Sequence, residues 1–194
     1  RAHGARLAEG IELGTRDRGQ DMWPKVKQDP GRVRKDLVHL FSFMYYHTDE
    51  SLEDKENLSL PEKLHGMFPR QYPSRWQNRG QEIANDNRPY ADSALWPLDS
   101  VARYIRETGD TSILFERVGT VRLTDPQDPI QSTMIGAEKE FYIFEVILEV
   151  LACFHRLART SPYGMAQTLY GDWCDPIDMF GTDPVCDEKS RGRG

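Results

Sequence analysis

The sequence predicts an all-α protein. Three segments place apolar residues at spacings of three and four, and no segment alternates apolar and polar residues long enough to read as a strand. One of the three is also apolar on nearly every side. The first helix is expected over "RVRKDLVHLFSFMYYH", Arg32 to His47, where Val33, Leu37, Leu40, Phe41 and Met44 share a face. The second is expected over "DSALWPLDSVARYIRETG". Asp92 or Ser93 caps its start, Pro97 falls in the first turn where a missing N–H costs least, and Gly109 ends it. The third runs from Ala137 to Thr160, and between Phe141 and Phe154 its only charges are Glu145 and Glu149. Such a helix has to be covered on all sides, which calls for an inner ring of helices wrapped by an outer one. It is too short and too charged for a membrane span, which takes about 20 predominantly apolar residues.

Polar connections separate these segments. Thr48 to Lys63 is dense in Asp, Glu and Lys and reads as a solvated loop. Phe68 to Pro89 is rich in Arg, Gln, Asn and Pro and carries Tyr72 and Trp76. Val121 to Ser132 holds the turn signal "TDPQDP". Irregular loops of this length in a helical domain are often functional. With 194 residues and no strong internal repeat, the chain reads as one domain, residues 1–194, or part of one.

Composition narrows the chemistry. Hydrophobic residues make up 38% and charged residues 29%, enough for a core under a polar exterior. The formal net charge of −6 gives no support for a nucleic-acid partner, which is met by concentrated basic surface. Cys153, Cys174 and Cys186 form no CxxC pair, which argues against a cysteine zinc site. They read as reduced thiols, with a Cys174–Cys186 bond as the alternative. His39, His47, His65 and His155 show no metal-ligand spacing, and no Gly-rich phosphate loop occurs. No charged leader with an apolar run and a cleavage site opens the sequence, so no signal peptide is visible. No cofactor, no metal and no membrane partner are expected.

The most chemically suggestive stretch is "LYGDWCDPIDMFG", Leu169 to Gly181, which spaces Asp172, Asp175 and Asp178 at intervals of three around Trp173. Carboxylates beside an aromatic ring, between glycines, suit acid chemistry on a polar ring. Three aspartates in turns and caps are the structural alternative. Taken alone, "RDRGQD", Arg16 to Asp21, is a solvated charge run.

Three motifs line up in order: "GTRDRGQD" at Gly14 to Asp21, "RPYADSALWPLDSVARYIRETGDTSIL" at Arg88 to Leu114, and "GDWCDPID" at Gly171 to Asp178. Together they resemble the helical catalytic domain of the cellobiose phosphorylase family of glycoside phosphorylases, over Gly14 to Gly194. The resemblance implies a partial (α/α)6 barrel, a fragment lacking an N-terminal β-sandwich and the last barrel helices. It also implies an inverting phosphorolysis, in which a β-glucoside and inorganic phosphate give an α-sugar 1-phosphate. An inverting hydrolase on the same barrel, or a catalytically silent carbohydrate-binding fragment, are the other readings. An oligosaccharide and phosphate would be the partners. A cytoplasmic location, and a homodimer for the full-length form, follow from the same resemblance.

Residue by residue, the resemblance puts the catalytic acid at Asp175. A phosphorylase needs one acid and no base, since phosphate is already an anionic nucleophile. To donate near neutral pH, Asp175 needs a raised pKa, which burial beside Trp173 and the charges of Asp172 and Asp178 would supply. Cys174 stands where the family usually has Asn, and Pro176 follows the acid. Arg16 and Asp17 match the pair that grips the non-reducing sugar ring, with Gln20 completing the motif. Asp92 matches a carboxylate ahead of "LW", a role compatible with helix capping. Trp173 either stacks on a sugar face or fills the core. Both "GTRDRGQD" and "GDWCDPID" are expected on loops at one end of the barrel. The apolar face around Phe144, Leu148 and Leu151 is expected to be left uncovered in a partial barrel.

Overall fold

The computed structural model describes residues 6–7, 10–74, 86–88, 90–129 and 131–165. The architecture is mixed α/β, which overturns the all-α partial barrel. Strands β1 (Arg6–Leu7) and β2 (Gly10–Gly14) lead into helix α1 (Thr15–Lys25) and helix α2 (Pro30–Phe41). A short helix α3 (Leu60–Leu64) and strand β3 (Gln71–Pro73) follow, then a 3₁₀ turn (Ala91–Ala94) that opens helix α4 (Leu95–Thr108). A second 3₁₀ turn (Thr111–Phe115) precedes the antiparallel hairpin β4 (Arg117–Leu123) and β5 (Met134–Tyr142), and helix α5 (Ile143–Arg159) completes the order. β1, β2 and β3 form one small antiparallel sheet and β4 and β5 another.

The strands escaped a period-two reading for a physical reason. In β4, Val118, Thr120, Val121 and Leu123 all turn inward, with two consecutive residues buried. A register shift between Gly119 and Thr120 resets the pleat there, so the alternation is broken in the middle of the strand. β5 carries Glu138, Lys139 and Glu140, which read as a charged first helical turn. The expected third helix therefore starts six residues later, at Ile143, where Glu145 reaches back to accept from the Tyr142 N–H at 2.7 Å.

α5 is also not covered all round. Ile143, Val146, Val150, Cys153 and Leu157 form its buried stripe, while Leu148 is 58% and Leu151 54% exposed. Phe144 is at the margin of exposure and stacks beside Tyr142, their ring centroids 5.9 Å apart. The uncovered apolar face is present, but on a one-sided helix of a mixed fold rather than on an inner barrel helix.

The first expected helix is α2, and it ends at Phe41 instead of His47. Asp29 caps it by accepting from the Arg32 N–H at 3.0 Å, and Pro30 begins it. Beyond Ser42 the chain is rich in aromatics, which pack well on a pleated surface. Met44 to Tyr46 runs parallel beside β4, with the Val121 N–H donating to Met44 O and the Tyr46 N–H to Val121 O at 3.0 and 2.8 Å. The supposed solvated loop from Thr48 to Lys63 holds the start of α3, closed by a Ser59–Glu62 capping box.

The second helix ends where expected but starts later, at Leu95, behind a 3₁₀ turn. Gly109, at φ 73°, takes the left-handed conformation that ends it, and its N–H donates to Ile105 O. Asp92 does not cap it: α4 and the preceding 3₁₀ turn both start without a side-chain cap.

The core lies where α1, α2 and α4 meet the β4–β5 hairpin and α5. Leu37, Leu40, Phe41, Met67, Ile113 and Val150 are among its fully buried members. Gly19 lets α1 approach α4: a Cβ there would sit 3.0 Å from Trp96 Cβ and 3.3 Å from Ser100 Oγ. Among the described residues no helix is long and apolar enough to cross a membrane, and no group of three His, Cys, Asp or Glu is placed to hold a metal ion. Cys153 is a buried free thiol whose pKa burial pushes up to about 12, so it is not a nucleophile near neutral pH.

His39 gives the fold a pH dependence. Its Nε2–H donates to Pro73 O at 2.8 Å, which ties α2 to β3. Burial lowers its pKa below the ordinary 6.5, only partly offset by the Pro73 carbonyl. A histidine of this kind binds its proton more readily after unfolding. Its stabilisation is therefore complete above about pH 6.5 and falls as the pH drops toward its folded value. Urea midpoints measured at pH 7.5 and 5.5 should fall with acid, and less so in His39→Gln.

Candidate functional site

The site forms where β2 passes into α1. Gly14 ends the strand, and Thr15 is anchored at once. Its Oγ1 donates to Pro69 O at 2.6 Å and its N–H to Arg70 O at 2.9 Å. "GTRDRGQD" is thus the end of a strand and the first two turns of a helix, not a loop. The anchor at Thr15 fixes the direction in which Arg16 and Asp17 leave the helix start.

Asp17 folds back over Gly14 so closely that a Cβ on Gly14 would lie 2.3 Å from the Asp17 carboxylate. A side chain at position 14 would force the Asp17 carboxylate to turn away. Arg16 reaches across to Asp92, 76 positions away, with Nη1 to Oδ2 at 3.2 Å. The same Oδ2 accepts from Trp96 Nε1 at 2.8 Å. The Arg16 and Asp92 side chains are 18% and 12% exposed, so the pair is mostly shielded from solvent.

These residues border a cavity of about 280 Å³, lined also by Arg70, Gln71, Tyr90 and Ser93. Asp17 faces it with no hydrogen bond or ion pair among the described residues. Arg70 and Gln71, which also line the cavity, are held from behind. Residues 86–88 lie against the start of β3, with the Arg70 N–H donating to Arg88 O and the Gln71 N–H to Asp86 O, each at 3.1 Å. Asp86 accepts from Arg70 and from Arg88, both at 2.8 Å. Burial pushes the Asp86 carboxyl up, but Arg88 and then Arg70 outweigh it and hold the group below its ordinary value. Both guanidinium groups also flank the Tyr90 ring, at 4.9 and 5.5 Å from its centroid.

Sequence reasoning named Arg16, Asp17 and Asp92, and the fold brings all three to one cavity. Gln20 sits one turn further along α1 and does not line it. Arg70 and Tyr90 were not singled out. The signal that could have found Arg70 is its place in the polar loop from Phe68 to Pro89. Asp175 and Trp173, with Asp172 and Asp178, lie outside the described residues, as do Cys174 and Cys186. His39 and His47 do not meet: His39 is engaged with Pro73 O, and the His47 side chain is exposed.

Chemically, the cavity offers a carboxylate acceptor at Asp17, a shielded ion pair at Arg16–Asp92, and forked donors at Arg70. Alternating acceptors and donors of this kind suit a neutral ligand with several hydroxyl groups. No protein-family model matches the chain, and no curated protein matches it.

Proposed function

We propose that the Arg16–Asp17–Asp92 cavity binds a sugar ring and that the protein acts on glycosidic bonds. The observation that carries this reading is convergence: Arg16 meets Asp92 from 76 positions away, and Asp17 lines the same cavity with open acceptor capacity. Two adjacent hydroxyls of a pyranose can donate to one carboxylate while an arginine fork donates to a third oxygen. The resemblance of the three ordered motifs supports the same class, independently of the barrel that the fold does not show.

Within that class the proposed reaction is inverting phosphorolysis. Asp175 protonates the departing glycosidic oxygen, and inorganic phosphate attacks the opposite face, giving an α-sugar 1-phosphate. The resemblance alone supports this step, together with a cytoplasmic location and a homodimeric full-length form. Water could replace phosphate if a second carboxylate stood about 6.5–9.5 Å from the acid. The full-length protein, incubated with β-linked disaccharides with and without phosphate, should release sugar 1-phosphate only when phosphate is present. Equal release of free sugar in both conditions would make it a hydrolase, and no cleavage of any tested β-linkage would remove the enzyme reading.

A further inference from the structure

A second cavity lies on the other flank of the core, between the Met44–His47 segment, α3 and the end of β4. It measures about 200 Å³ and is walled by Tyr45, Pro61, Leu64, Leu123 and Pro126. Tyr46, His47 and Arg122 form its edge and also border an adjoining, wider cleft of about 570 Å³. The edge is assembled by the parallel pairing of Tyr45 with Val121, which sets Tyr46 and His47 beside Arg122. The cavity's lining residues are all different from those of the Arg16–Asp17–Asp92 cavity.

One charged group at this edge is unspent. Arg122 is exposed and makes no ion pair or side-chain hydrogen bond among the described residues. The Tyr46 hydroxyl, shielded from solvent, faces the Asp49 carboxylate of the wider cleft and is not open to a second anion.

Charge selects which side an anion would take. The wider cleft contains Asp49 and Glu138, and Asp49 already holds Lys139. An anion there meets two carboxylates. Among the described residues, Arg122 is the only charged one that lines the smaller cavity, against walls of proline, leucine and tyrosine. One forked cation at the mouth of an apolar cavity matches a carboxylate attached to a compact apolar body.

We propose that this cavity is a binding site for a small apolar monocarboxylate, whose carboxylate pairs with Arg122 and whose body packs on Leu64 and Leu123. The probes are benzoate and isobutyrate, titrated into the isotope-labelled chain and followed by amide chemical shifts. Saturable shifts are expected at Tyr46, His47, Leu64 and Leu123, with benzoate affinity reduced about tenfold or more in Arg122→Gln. Arg117→Gln, an exposed change on the same strand outside the cavity, should bind as the parent does. Absence of saturable shifts, or parental affinity in Arg122→Gln, overturns the site. Inorganic phosphate binding as tightly as benzoate would also overturn it, because the apolar walls would then contribute nothing.

Discussion

Asp175→Asn in the full-length protein is expected to lower the rate of phosphorolysis by about 10²–10⁴, the usual cost of losing a general acid. The substitution keeps size and polarity but removes the proton donor. Asp172→Asn and Asp178→Asn should cost less, because their proposed contribution is to raise the pKa of Asp175 or to orient it. The deficit should be smallest on a sugar fluoride, whose leaving group needs little protonation. Release of sugar 1-phosphate, followed for the three variants beside the parent, checks this. Near-parental activity in Asp175→Asn with a neighbour inactive would move the acid to that neighbour. Full activity in all three would leave "GDWCDPID" as a set of turn and cap residues.

Asp92→Ala is expected to destabilise the chain by about 2–3 kcal/mol, a value appropriate to a mostly shielded pair that keeps some solvent access. The change strands two donors at once. Arg16 loses its carboxylate at 3.2 Å and Trp96 Nε1 loses its acceptor at 2.8 Å. Asp92→Asn should cost clearly less, since its carbonyl can still accept from Trp96. The comparison of the two denaturant midpoints separates the charge from the hydrogen bond. Equal stability of Asp92→Ala and the parent would show that the Arg16–Asp92 pair does not organise the site.

Much of the helical content could be read from the chain, and the reasons are local. α4 has its proline in the first turn, its apolar spacing and its terminal glycine all in agreement, and it forms where expected. α2 was readable as far as Phe41. After that residue the aromatic run Phe43 to Tyr46 leaves the helix because β4 offers its backbone a strand partner 75 positions or more away, a tertiary effect that no local pattern carries. β4 itself was hidden by its irregular register at Gly119 and Thr120, and β5 by charges that suit a helix start equally well. The barrel was implied by the family resemblance, and the apolar α5 segment was expected to fill an inner position in it. Apolar sequence shows only what a helix could bury, and in this structure Leu148 and Leu151 stay exposed.

The site shows the same division. Arg16, Asp17 and Asp92 were named for the site only because the motifs that hold them resemble a known family's. Arg70 and Tyr90 join them only through the pairing of residues 70–71 with 86–88 and through the anchor from Thr15 to Pro69. Neither contact has a sequence signature. Gly14 gains its meaning only from the position of the Asp17 carboxylate above it.

Calorimetric titration of glucose and cellobiose into the full-length protein, with Asp17→Asn and Arg70→Gln alongside, tests the sugar cavity most directly. Asp17 has no partner among the described residues, so Asp17→Asn should leave the denaturant midpoint unchanged while weakening sugar affinity about tenfold. Arg70→Gln should weaken it too, with some loss of stability from the Asp86 contact. Saturable sugar binding that survives Asp17→Asn at parental affinity, or no sugar binding by the parent, would contradict the assignment of this cavity.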